Sequence, residues 1–206
     1  MGLTPKKQQR ELIPEGIHKA ICYGVVDVGT QPTNFGPKRN IKIFWEFPDL
    51  RIDLDRDGKT VNLPKVINKS YNPVLHEKSN ISIHLTSWRG KSFTEQEKDT
   101  FDFFSLVGRG CSLTIVHQKS KATGNLYEKI VSIVGPAKVM EPENPPMKYA
   151  FEEHGKHIPD SVYDWLVDMI KESPEYKGEG TPDEQQFPDD TSPDGPDYLP
   201  DDEPAF

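Results

Sequence analysis

Cysteine is almost missing from this 206-residue chain: Cys22 and Cys111 stand far apart and form no CxxC pair. Neither a disulfide framework nor a zinc site is indicated, and a reduced intracellular compartment is expected. No stretch approaches the roughly 20 apolar residues of a membrane-spanning helix. The opening MGLTPKKQQREL also lacks the apolar core of a secretory signal. There is no glycine-rich phosphate loop and no GxSxG element, and the six histidines are scattered. Their one close pair, His154 and His157, has no third ligand near it in sequence. No metal, cofactor or catalysis is therefore expected. The last absence is local: between Glu179 and Phe206 there is no Lys or Arg, but ten Asp and Glu and six Pro.

Such a segment has too little apolar surface to offset the entropy of ordering it, so residues 179–206 are expected to form a disordered acidic tail. It closes on Asp201-Asp202-Glu203-Pro204-Ala205-Phe206, with an aromatic residue kept for the last position. The chain ahead of it has the opposite balance. Residues 1–140 hold 21 Lys and Arg against 14 Asp and Glu, a charge of +7, while the whole chain carries -8. A basic body with an acidic tail suggests a polyanion-binding domain that carries its own competitor or a partner bait.

Along the body, residues 1–16 read as a flexible basic arm, and Ile17 to Val28 as a strand with an internal glycine, Gly24, at a bulge or bend. A turn-rich loop at 29–39 carries Phe35, Lys38 and Arg39. The cleanest strand follows, Asn40 to Phe47. Its alternation buries Ile41, Ile43, Trp45 and Phe47 and turns Lys42 and Phe44 outward. Asp53, Asp55, Asp57 and Gly58 imitate the start of a calcium loop, but its twelfth position is Pro64, so a hairpin turn at Asp57-Gly58 is expected instead. A third strand, Val61 to Tyr71, places Lys65, Lys69 and Tyr71 on one parity.

The period then changes. Ser79 caps a helical stripe of Ile81, Leu85 and Trp88, and Gly90 stops it. Thr94 and Glu97 form a capping box, predicting a helix with Phe101, Phe104 and Val107 inward and its stop at Gly108. Strands return at Cys111 to His117 and Leu126 to Val134, joined by a basic hairpin tip, 118–125, with Lys119, Lys121 and then Tyr127. Residues 141–146 read as a linker. Ser161 to Lys171 reads as a short amphipathic helix, free to dock on the body or to pair with a second subunit in a homo-oligomer. The domain plan is thus 1–16 arm, 17–140 core domain, 141–178 linker and helix, 179–206 tail.

Three strands, a helical insertion between strands 3 and 4, then a two-strand hairpin make a mainly β chain in the order of a five-stranded OB-fold Greek-key barrel. With segments such as GVVDVGTQ, WEFPD, SWRGKSF and YEKIVSI, the body resembles bacteriophage OB-fold single-stranded-DNA-binding proteins. The tip DDEPAF is similar to the acidic, Phe-terminated tip of bacterial single-stranded-DNA-binding proteins, with Ala205 where a Pro is usual. The resemblance implies a non-catalytic, sequence-independent binder of single strands in phage DNA replication or recombination, in the cytoplasm of an infected bacterium. It further implies that Asp201, Asp202, Glu203, Pro204 and Phe206 recruit replication or recombination proteins. The DNA-binding set expected on the body is Phe35, Lys38, Arg39, Lys42, Phe44, Lys65, Lys69, Tyr71, Lys119, Lys121 and Tyr127, because a strand without sequence preference needs cations interleaved with aromatic platforms. Two alternatives are a metal-dependent nuclease using Asp49, Asp53, Asp55 and Asp57 and a tail-led interaction protein or DNA mimic.

Overall fold

The computed structural model describes residues 11–33, 36–56, 58–121, 123–135 and 138–179. Five long strands appear in it: β1 (Gly16–Gln31), β2 (Lys38–Arg56), β3 (Lys59–Tyr71), β4 (Gly110–Lys119) and β5 (Leu126–Val134). A short β6 (Met147–Tyr149) follows. Hydrogen bonding orders them β3-β2-β1-β4-β5, all antiparallel, while β6 runs parallel to β1 at Gly24 to Val26. The chain is mainly β. β3 and β5 lie at the two ends of the row and do not pair among the described residues, so the sheet is open at the seam where a five-strand barrel closes.

β1 is long because it serves two partners on one edge. Its start, Gly16 to Ile21, pairs with β4, and its later part pairs with β6. Its other edge follows β2 from Ile21 to Gln31, with register shifts at Cys22/Gly24 and Asp27/Gly29. Gly24 stands at the first shift, as its place inside a strand predicts. A Cβ there would lie 3.1 Å from Met147 Cβ and 3.3 Å from its carbonyl oxygen, so a side chain at this position would push β6 back by a few tenths of an ångström.

The two faces of the sheet bury two separate cores. On one face, Ile41, Ile43, Trp45 and Phe47 of β2 meet Leu113 and Ile115 of β4 and Ile130 and Ile133 of β5. Helix α1 (Asn80–Arg89) roofs this core with Ile81, Leu85 and Trp88. Ser79 caps it by accepting the Ser82 N–H, and Gly90, at φ 73°, stops it. Helix α2 (Glu95–Thr100) starts on the complete Thr94–Glu97 capping box but ends earlier than the sequence suggests. The Asp102 carboxylate accepts the Phe104 N–H and opens a separate 3₁₀ turn, Phe103–Leu106. A short polar side chain has thus outcompeted helix continuation. Cys22 and Cys111 are both buried here as free thiols, and burial pushes both up, Cys111 to about 12.

On the other face, Tyr23, Val26, Val28 and Phe44 are covered by the chain after β5. The cover is Met147 and Tyr149 of β6, Val162, and Leu166 and Ile170 of α4 (Asp164–Glu172), with short helices α3 (Phe151–His154) and α5 (Pro174–Lys177) on either side of α4. The amphipathic helix therefore docks on its own sheet. Three polar clasps pin this cap. The Glu46 carboxylate accepts the backbone N–H of Glu143 and Asn144 at 2.7 and 2.9 Å. Glu175 accepts from Thr30 N–H at 2.9 Å and Thr30 Oγ1 at 2.6 Å. Gln31 Nε2 donates to the Met169 carbonyl at 3.0 Å.

Residues 51–64 extend β2 and β3 into a hairpin paired down to Arg56↔Lys59. The turn expected at Asp57-Gly58 falls at this end of the hairpin, but Asp57 lies outside the described residues. No helix among the described residues is long and apolar enough to cross a membrane.

Candidate nucleic-acid surface

The expected binding set splits three ways. Across an antiparallel ladder, directly opposed residues share a face. β2 and β3 pair Ile41↔Tyr71, Ile43↔Lys69 and Phe47↔Lys65, so Tyr71, Lys69 and Lys65 stand on the face of the first core. Lys42 and Phe44 oppose Ser70 and Asn68 on the other face. A single groove lined by all five is excluded, since the sheet itself separates them.

Phe44 and Lys42 are corrected further. Strand alternation turns both away from the first core, as expected, but that face is covered too. Phe44 is 2% exposed and makes edge contacts with Tyr23 and Tyr163 at centroid distances of 5.9 and 6.0 Å. Lys42 is equally buried, its Nζ 4.8 Å from the Trp165 ring centroid. The cause is the docked cap: a half-polar strand face was read as exposed because nothing local in the sequence marks what packs on it. Arg39 is engaged as well, bonded to Asp27 and, at 2.7 Å, to Glu152. Phe35 and the tail positions Asp201, Asp202, Glu203, Pro204 and Phe206 lie outside the described residues.

Lys65 and Tyr71 are buried for a different reason. Lys65 Nζ reaches the carbonyls of Glu11 and Leu12 at 3.4 and 3.5 Å and the Glu11 carboxylate at 3.3 Å. The arm expected over 1–16 is therefore anchored from residue 11 on. Ile13, 1% exposed, is inserted into the first core; its N–H donates to Glu128 on β5 at 3.0 Å, and its carbonyl meets His117 Nε2 on β4 at 2.8 Å. Residues 11–15 thus bridge β3 to the β4–β5 pair across the open seam. Tyr71 is capped by α1, its hydroxyl 2.7 Å from His84 Nδ1. Burial and the nearby Lys69 push His84 down to about 4.

Lys119 and Lys121 remain exposed on the β4–β5 hairpin, and Tyr127 is half-buried opposite Gln118. Beside them the sheet presents residues that the sequence reading passed over: Ile17 and Lys19 on β1, Lys129 and Val131 on β5. Ile17 is 73% exposed and Val131 44%. The alternation in IHKA and YEKI was the available signal. Among the described residues no group of three or more His, Cys, Asp and Glu stands close enough to hold a metal. In the acidic hairpin the Asp53 carboxylate is taken by Asn62 Nδ2 at 2.6 Å. No family model, curated protein or solved structure matches the chain.

Proposed function

We propose that the protein binds single-stranded DNA without sequence preference and without chemistry on it, serving phage replication or recombination, with its acidic C-terminus recruiting partner proteins. We read the open sheet as a Greek-key OB barrel with the β3–β5 seam bridged by residues 11–15 instead of by strand pairing. The observation that carries the reading is the row β3-β2-β1-β4-β5 with its helices between β3 and β4. That order puts Lys38 at the β1–β2 loop and Lys119 and Lys121 on the β4–β5 hairpin, the two loops that flank oligonucleotides on OB-folds. A body charge of +7 over residues 1–140 adds a long-range attraction for phosphate.

The test is anisotropy of a labelled oligo(dT) titrated with the full chain, repeated with duplex DNA and single-stranded RNA. The expected outcome is tight binding to oligo(dT), weakening steeply with salt, and poor binding to duplex. Equal affinity for duplex overturns the reading. The same DNA incubated with magnesium or manganese is expected to stay intact, and cleavage would favour the nuclease.

A further inference from the structure

β1 and β2 reach their shared loop only after an irregularity. Asp27 faces Ile41 and Gly29 faces Asn40, so β1 holds one residue more than β2 here, a bulge at Val28. Beyond it two rungs remain, Thr30↔Arg39 and Gln31↔Lys38, and then the loop begins. Gly29 takes a left-handed conformation, at φ 72°. Side chains meet the backbone groups of the bulge. Asp27 Oδ1 accepts the Gly29 N–H at 2.9 Å, and Gln31 Nε2 donates to the Val28 carbonyl at 2.7 Å. The other carboxylate oxygen, Asp27 Oδ2, takes Arg39 Nη2 from the facing strand. Asp27, 5% exposed, thus ties the bulge of β1 to the foot of β2.

We infer that Asp27 is a positioning residue for strand binding: its bond to Arg39 locks the register at the neck of the β1–β2 loop and so aims Lys38. The inference rests on the nucleic-acid reading above and names the group that sets up one of its contacts. A slip of one residue at this point sends Lys38 to the opposite face of the sheet, because strand side chains alternate. The backbone ladder guards weakly against such a slip, since the bulge interrupts it and only two rungs follow. The charged pair supplies a tie between two particular residues, which no backbone rung can do. Stability does not explain a carboxylate here. Burial lifts the Asp27 carboxyl above its ordinary value, although Arg39 and the Gly29 N–H pull it the other way. A buried charge in such surroundings adds little stability, and the setting of register is the best-attested use of one. Glu152, the second carboxylate on Arg39 Nη2, is 69% exposed and belongs to the cap, so losing it leaves the tie between β1 and β2 in place.

The experiment is a double-mutant cycle in the full chain, with labelled oligo(dT) titrated across a salt series. Asp27→Asn keeps an acceptor for the Gly29 N–H and loses the ion pair with Arg39. By charge alone, removing a carboxylate tightens DNA binding, whereas a misdirected Lys38 weakens it. Asp27→Asn is expected to bind about fivefold more weakly at low salt and to flatten the log–log salt slope by up to about 0.7, one phosphate contact. Lys38→Gln is expected to show a similar loss, and Asp27→Asn/Lys38→Gln to lose little more than either alone, since both remove the same contact. Glu152→Gln makes the same charge change and is expected to bind like wild type or up to about twofold tighter. Circular dichroism and thermal melting identify a misfolded variant. If Asp27→Asn is one, Arg39→Lys, which keeps the charge and loses the planar fork, takes its place in the cycle. Three results overturn the inference and leave the nucleic-acid reading standing: Asp27→Asn binding as tightly as wild type, its full loss persisting on the Lys38→Gln background, or Glu152→Gln losing as much as Asp27→Asn. Wild-type affinity in Lys38→Gln does the same. If wild type itself ignores oligo(dT), that reading falls and the inference with it.

Discussion

At the scale of single residues, Phe44 and Trp45 are neighbours on one strand and enter opposite cores, so both act as core aromatics. Replacing either by Ala is expected to destabilise the fold by about 3–5 kcal/mol, the range for an emptied aromatic site, measured by urea unfolding. A Phe44→Ala protein of near wild-type stability would mean that the cap is not closed on β2 in solution. His84 provides a pH prediction. Its folded value of about 4 lies below the ordinary 6.5, so the folded chain holds the neutral imidazole. As pH falls through 6.5 the unfolded chain takes the proton first. Stability present above 6.5 is therefore lost progressively down to about pH 4, on the order of 3 kcal/mol at about 1.4 kcal/mol per unit. Urea midpoints between pH 7 and pH 4 are expected to fall less steeply for His84→Gln, and unchanged steepness would assign the acid sensitivity to other groups.

At the scale of elements, the segment 11–15 spans the gap between β3 and the β4–β5 pair without strand pairing. Ile13 supplies the apolar contact, while Lys65, His117 and Glu128 take its backbone groups and those of Leu12 and Glu11. Ile13→Ala is expected to cost about 2–5 kcal/mol, as for other buried aliphatic truncations, and to speed amide exchange at the facing edges of β3 and β5. A loss below about 1 kcal/mol would show that the segment rests on the seam without closing it. The sequence marked residues 1–16 as a loose arm because a polar, basic stretch bounded by Pro14 and Gly16 has no period. Its anchor is one isoleucine and three distant polar side chains, which no local window can connect. The strands were far more legible, since alternation is a local property: Ile41, Ile43, Trp45 and Phe47 occupy one core as their spacing requires.

At the scale of the whole molecule, unlike charges share one chain, a body at +7 over residues 1–140 and ten carboxylates in residues 179–206. Extended, those 28 residues span at most roughly 90 Å at about 3.3 Å each, so every face of the body is within reach. Deleting residues 179–206 is expected to tighten oligo(dT) binding at low salt, with a gain that shrinks as salt rises, because exposed charges screen. Deleting Phe206 alone keeps the charge and is expected to leave DNA binding unchanged while abolishing recovery of replication or recombination proteins from host lysate. Partners still recovered without Phe206 would sink the recruiting role of the tip.

The sequence by itself marked the five long strands in chain order, the helical insertion, the two helix starts at Ser79 and Thr94, and the segregation of charge, but not β6. Each of these follows from residues within a few positions of one another. The tertiary structure alone decided which faces are open. Lys42 and Phe44 became interior when α4, some 120 residues later, docked on β2, and Lys65 and Tyr71 became interior when residues 11–15 and α1 packed over them. The polar–apolar alternation of a strand distinguishes its two sides, but whether the second side meets solvent depends on apolar surface presented by distant segments. For the same reason Ile17, Lys19 and Lys129, unremarkable in their own windows, come to share one face of the sheet only through the pairing of β1, β4 and β5.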